Sequence, residues 1–304
     1  MKKNEISISG LLSLGAVYLI WGSTFLAMRI TVREGSGFEP FSVGASRLIV
    51  SSFILIAFSY FSGRNLSITM REGTVLAISG LGIWLGGNGL TLWAEQFVES
   101  SYAVMILGLI PIWTAILQSV YEKRFPSRII FLAIGCATTG LLLTVRGAVD
   151  LKSSELLMPT LLIVLGSLTW AFGTVIQKWV PTRKGFIVSS AYQQLFGAIG
   201  FTFVAFLSGE PFPTPRGDAL WAWGYLVIFG SLIAYSAYLA AIQIYSAKVA
   251  STFAYICPIV GIILGWLILS EPITIYKVAG IGLIIMGAYG VFYDQQKGKD
   301  IHVK

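Results

Sequence analysis

The residue with the clearest chemistry is Arg47, in the stretch VGASRLIVSSFILIAF (residues 43–58), where its neighbours belong in hydrocarbon. An arginine at the centre of a membrane helix costs roughly 2.5–3.5 kcal/mol on insertion scales, so the guanidinium must be paired or used. Its planar fork suits a carboxylate or a phosphate. Two arrangements satisfy it. Arg47 pairs with Glu95 and ties two helices together, or it lines a water-filled cavity and meets an anionic group on a small molecule. An ion pair on a cavity wall can do both by exchanging partners.

Other polar and aromatic residues within apolar stretches join it as candidate cavity residues. Asn88 stands seven residues before Glu95 and, at 1.5 Å per helical residue, comes level with Arg47. Trp21 and Thr24 on the first apolar segment, beside Ser23, and Trp170 on the sixth occupy related places. Tyr192, Gln193 and Gln194 form the counterpart of the arginine region in the second half, and side-chain amides in lipid need partners. Tyr235 lies 147 residues after Asn88, and Trp113 follows Pro111. For the tryptophans, packing or anchoring at headgroups is the competing role. Pro111 and Pro258 are hinge candidates, because proline interrupts helical hydrogen bonding. The stretch GGNG (86–89) is the loosest point in any segment, and the helix is expected to unwind there.

These residues must be positioned by membrane helices. The chain has 304 residues, 56% hydrophobic and 12% charged, against about 25% charged in soluble domains. About 20 apolar residues cross a bilayer, and ten such segments are readable, near residues 10–31, 39–62, 72–93, 98–121, 128–146, 156–177, 186–208, 218–242, 249–269 and 274–293. The first is too long, and lacks the cleavage site, for a signal peptide. With the N-terminus inside, 14 of the 21 Lys and Arg residues fall in inside segments and 6 outside, with Arg47 within a segment. Cytoplasmic loops collect these residues, so both termini are expected in the cytoplasm of a multi-pass cell-membrane protein. The net charge of +7 then faces the lipid bilayer and not nucleic acid, since no basic soluble surface remains.

Catalytic chemistry finds no footing. His302, the single histidine, is in the tail, and Asp150, Asp218, Asp294 and Asp300 lie at loops or ends. There is no metal-ligand set, no nucleophile motif and no P-loop, so no enzyme activity, metal or cofactor is expected. Cys136 and Cys257 lie within segments and are read as small apolar packers.

The chain also carries an internal echo. Pro111 and Pro258 are 147 residues apart, as are Ala103 and Ala250, Gly135 and Gly282, and Gly140 and Gly287; Trp21 and Trp170 match at 149. The reading is an all-α membrane protein of two five-helix units, 1–150 and 151–304, divided in RGAVDLKSSE (146–155). Five is odd, so the second unit enters from the opposite side. Such inverted repeats build transporters with a midplane site between the halves.

YLIWGSTFLAMR (18–29), ASRLIV (45–50), WAEQFVESSYAVMILGLIP (93–111) and LGWLILSEPIT (264–274) resemble the EamA family of the drug/metabolite transporter superfamily across nearly the whole chain. The resemblance implies ten helices in two inverted repeats and export of small metabolites. Glu271 follows Pro258 by thirteen residues, whereas Glu122 follows Pro111 by eleven, a departure between the halves. The expected activity is alternating-access transport of a small amphipathic substrate such as an amino acid or derivative. A lipid or lipid-linked precursor translocator and a channel-like facilitator are the alternatives. Glu95 is the candidate for proton coupling, with facilitated exchange as the other option, and the oligomeric state is not legible.

Overall fold

The computed structural model describes residues 7–98, 100–144, 156–269 and 274–301, and among these the chain forms helices and no strands. The first helices are α1 (Ile8–Val32), α2 (Pro40–Phe61) and α3 (Met70–Ala94). The short α4 (Ser100–Leu107) and α5 (Ile110–Glu122) and then α6 (Arg128–Thr144) follow. After them come α7 (Leu157–Trp179), α8 (Phe186–Leu207) and α9 (Asp218–Ile244). The last are α10 (Ala247–Ala250), α11 (Phe253–Leu269) and α12 (Ile275–Ile301). Six of them, α1, α2, α3, α7, α8 and α9, are long and apolar enough to cross a membrane. Helices suit hydrocarbon because each satisfies its own backbone groups. The division at 146–155 and Glu271 lie outside the described residues.

Local sequence sets the helix starts. α2 begins with Pro40 in its first turn, behind a capping box in which Glu39 and Ser42 serve each other's backbone N–H groups. Glu210, from the loop before α9, adds a second cap by accepting the N–H groups of Phe41 (3.1 Å) and Ser42 (2.7 Å). α3 starts with the Thr69–Glu72 capping box. The loop after α1 pairs with the loop before α9: Thr214 N–H donates to the Gly37 carbonyl (2.8 Å) and Arg216 N–H to that of Ser36 (3.0 Å). Arg33 and Asp218 form an ion pair beside them. At the opposite end, Arg183 N–H donates to Glu72 (3.1 Å) and Tyr192 Oη to the Leu66 carbonyl (2.6 Å). The bundle therefore has a Val32 end and an Ile8 end, each tied across the two halves of the chain.

The fourth and ninth expected segments are each divided, and not alike. Pro111 stands in the first turn of α5, where its missing N–H costs nothing. Pro258 lies inside α11, and the break there comes earlier, at Ser251 and Thr252, whose hydroxyls donate to the carbonyls of Lys248 and Val249. The unwinding expected at GGNG does not occur. Residues Leu81–Gly89 of α3 continue as a π-helix, and Leu226–Ala234 of α9 do the same. Such i→i+5 turns are rare and concentrate at functional places.

α2 and α8 pack along each other, as do α6 and α12. Where α3 meets α8, Gly80 lets the Gln193 carbonyl occupy the space that any Cβ would take. Close approach through small residues is how helices associate in lipid, where no hydrophobic drive separates core from surroundings. Large apolar side chains such as Phe58, Phe61, Leu132, Phe203 and Phe206 are left on the outside, as a lipid-facing surface requires.

Candidate functional site

Arg47 does not reach the surface: its residue is only 2% exposed. From α2 the guanidinium extends toward the π-helical stretches of α3 and α9. Nε donates to the Ser231 hydroxyl at 2.6 Å, and Nη1 lies 3.5 Å from Asn88 Oδ1, the outer limit of a hydrogen bond. The guanidinium carbon stands 5.0 Å from the centre of the Trp84 ring, within cation–π range. Gly230 makes room for the fork, since a Cβ there would come within 2.9 Å of Nη2. Among the described residues no carboxylate forms an ion pair with Arg47.

The group borders a narrow cavity whose water-accessible space is about 30 Å³. Met28 and Thr91 line the part nearer the Val32 end, with Phe25, Thr24, Asn88, Gly87 and Trp84 beside Arg47. Leu107 of α4 and Ile110 of α5 form another wall, so the break between those helices faces the cavity. Toward the Ile8 end the floor is Trp21, Trp170 and Phe253.

The floor is a packed aromatic set drawn from α1, α7, α9 and α11. Trp21 lies edge-on to Trp170 (5.3 Å) and Phe253 (4.7 Å) and tilted on Tyr238 (5.1 Å), distances at which aromatic pairs attract. Its indole N–H donates to the Gly230 carbonyl at 3.2 Å, and that of Trp170 to Tyr238 Oη at 3.3 Å. Tyr238 Oη also bonds Thr174 Oγ1 (2.7 Å). Each indole is thus held both by its ring contacts and by a hydrogen bond at one edge.

The sequence candidates divide around this cavity. Trp21, Thr24, Arg47, Asn88 and Trp170 line it. Gln194 and Tyr235 stand behind it. Gln194 accepts from Ser51 Oγ and donates to Ser190 Oγ (2.9 Å) and to the Ser231 carbonyl (3.2 Å). Tyr235 Oη donates to Gln193 Oε1, and its ring lies 4.7 Å from that of Trp84. Trp113 holds α5 to α7 by donating to Ser167 Oγ (3.0 Å), and Tyr192 serves the loop at the Ile8 end. Neither lines the cavity.

The pairing of Arg47 with Glu95 is not formed. Glu95 is fully buried at the end of α3; its backbone carbonyl accepts from Arg29 Nη1, and its carboxylate oxygens have no hydrogen-bond partner among the described residues. Arg47 turns sideways to Ser231 instead, because the hydroxyl and the space at Gly230 lie at its own depth. Sequence reading missed Trp84, Ser231, Phe25, Met28, Thr91 and Phe253. Trp84 sits in GIWLG (82–86), between glycines of the kind that favour close helix packing, yet it stands 147 residues before Ser231, the spacing already seen in the prolines.

Outside the membrane segments, Glu210 has its carboxyl pushed above the usual range, chiefly by burial. The N–H groups of Phe41 and Ser42 oppose the shift and the Glu39 carboxylate adds to it.

Comparison with known proteins bears on what such a cavity does. The sequence matches the EamA-like transporter family over residues 8–146 and again over 157–293. It is 27% identical over 275 residues to the uncharacterized inner membrane transporter YedA of Escherichia coli K12, covering 90% of this chain and 87% of that protein. The uncharacterized transporter YoaV of Bacillus subtilis is 23% identical over 283 residues, 92% of this chain and 95% of its own. A solved crystal structure shares the fold at a TM-score of 0.75, over 95% of this chain and 98% of its own, with 17% identity.

Proposed function

The chain belongs to the EamA-like transporter family, and from that premise we propose that it is a secondary carrier in which Arg47 receives the anionic group of a small amphipathic substrate. That it is a multi-pass membrane transporter follows from the family and from its apolar helices. The finer reading is export by alternating access, with small amphipathic anions, derivatives of amino acids among them, as the substrate class. Two inverted five-helix units, 1–150 and 151–304, would make ten passes, α4 with α5 and α10 with α11 each forming one. The lysine and arginine distribution supports cytoplasmic termini, which puts the cavity in the outer half of the membrane, where its floor closes the inward path.

One observation carries this reading: a buried guanidinium that no carboxylate among the described residues pairs borders a cavity floored by aromatic rings from both halves of the chain. A structural ion pair would have consumed the charge. Here three donors remain on the fork for a bidentate anion.

The test is uptake into everted membrane vesicles of a labelled panel of amino acids, carboxylates and phosphate esters, with wild type beside Arg47→Ala. The expected result is accumulation of an anionic compound by wild type and its loss in the variant, with both proteins eluting as monodisperse species in detergent. Equal accumulation by both would remove Arg47 from the pathway. Repeating the assay with an imposed pH gradient decides between proton coupling through Glu95 and facilitated exchange; a rate indifferent to the gradient rejects coupling.

A further inference from the structure

Among the described residues the cavity has a cationic anchor and no anionic one. Its polar lining among the described residues is Thr24, Arg47, Asn88 and Thr91. None carries negative charge. Among the described acids, Glu95, whose carboxyl is buried one turn beyond Thr91, is not part of the lining, and Glu210 caps α2. The neutral acceptors are partly engaged as well. Asn88 Oδ1 is turned to the guanidinium, and its amide nitrogen faces Met28 Sδ at 3.7 Å. The hydroxyls of Thr24 and Thr91 donate their protons to the carbonyls of Trp21 (2.9 Å) and Gly87 (2.8 Å), which leaves them only uncharged oxygen lone pairs to offer. The ring of Trp84, otherwise a cation–π seat, is already covered by Arg47.

Resting on the carrier reading above, we infer that the site takes amphipathic organic anions that lack an ammonium group, and that it discriminates against zwitterionic amino acids. An α-ammonium group would lose water, find no carboxylate among the described lining residues, and lie beside a fixed guanidinium that repels it. A buried charge left without a partner is strongly disfavoured, while the carboxylate of the same compound gains the full attraction of Arg47. The rest of the ligand meets Trp21, Trp170 and Phe253, surfaces suited to a flat apolar body. An aryl-alkanoate therefore fits where the corresponding aromatic amino acid does not.

The inference is tested with the purified full-length protein in detergent micelles at neutral pH, by tryptophan fluorescence titration with 3-phenylpropionate, L-phenylalanine and 3-phenylpropanamide. The acid should bind about tenfold or more tightly than either of the others, a separation large enough to read directly as Kd. Asn88→Asp, nearly isosteric, sets a carboxylate beside Arg47 and should erase that preference; Arg47→Gln should weaken the acid to the level of the amide. L-phenylalanine binding as tightly as the acid, with both lost in Arg47→Gln, overturns this inference and leaves the carrier reading standing. Binding of all three that is unchanged in Arg47→Gln overturns both.

Discussion

Arg47 and Gln194 hold the same residue from two different helices: Arg47 Nε donates to the Ser231 hydroxyl at 2.6 Å, and Gln194 Nε2 to the Ser231 carbonyl at 3.2 Å. The two lie 147 residues apart, the offset of Pro111 and Pro258. Their shared partner is in the π-helical part of α9, so the cationic wall is anchored to a stretch of helix with widened turns. Gln194 is itself held by Ser51 and Ser190. The position of the charge is thus set by a buried network and not by the arginine alone.

Ser231→Ala should weaken that anchor without removing the charge. A hydrogen bond to a charged group contributes about 1.5–3 kcal/mol, so affinity for an anionic substrate should fall roughly tenfold or more if that bond holds the productive geometry. Fluorescence titration measures it. Because the guanidinium remains, the preference of anion over amide should persist, which separates this variant from Arg47→Gln.

Gly80→Ala should destabilise the fold far more than Gly15→Ala. At Gly80 the new Cβ meets the Gln193 backbone carbonyl, which cannot swing aside; at Gly15 it meets nothing within 4 Å. Overpacking of this kind typically costs about 1–3 kcal/mol. The check is thermal unfolding in detergent followed by size-exclusion fluorescence. A Gly80 variant as stable as wild type would mean that α3 and α8 are not in contact at this point.

Trp21→Ala should breach the aromatic floor. Cys257 lies behind it, 1% exposed, with Sγ 3.9 Å from the Tyr18 carbonyl. In a Cys136→Ser background, a small water-soluble thiol reagent should leave Cys257 unmodified in the otherwise wild-type protein and modify it in the Trp21 variant. Equal labelling of both would show that other side chains make the seal.

Glu210 gives a pH dependence of definite sign. Its carboxyl is raised in the folded state by burial, with Phe41 and Ser42 N–H groups opposing and Glu39 assisting. A raised carboxyl favours the folded state while it is protonated, so this contribution is complete below the unfolded pKa of about 4.3 and is lost as pH climbs through the higher folded value. Between those two values the melting temperature of wild type should fall relative to Glu210→Gln, which has no proton to lose. A constant difference across the window would show that Glu210 does not titrate differently on folding.

Much of the helical frame was legible because each segment advertises itself locally, through an apolar run of membrane length. What the arginine touches was not. Ser231 is 184 residues from Arg47 in sequence, and nothing in FGSLIAY marks its hydroxyl as a partner. Depth counting put Asn88 level with Arg47, and the structure joins them at 3.5 Å. The same counting made Glu95 a partner because it assumed the arginine would climb toward water. Instead a sideways hydroxyl and the bare Cα of Gly230 offered a nearer solution. The π-helical turns were hidden too, since glycine-rich sequence signals a loosened helix without saying how it loosens.

The isolation of Arg47 from any described carboxylate has an electrical consequence. An empty site carries one fixed positive charge within the membrane field, and a site holding a monoanion carries none. Moving one elementary charge through a membrane potential is worth about 2.3 kcal/mol per 100 mV. In the proposed alternating-access cycle the voltage would act on the return of the unloaded carrier and leave the loaded passage nearly untouched, so the potential of the cell would set how fast the site becomes available again.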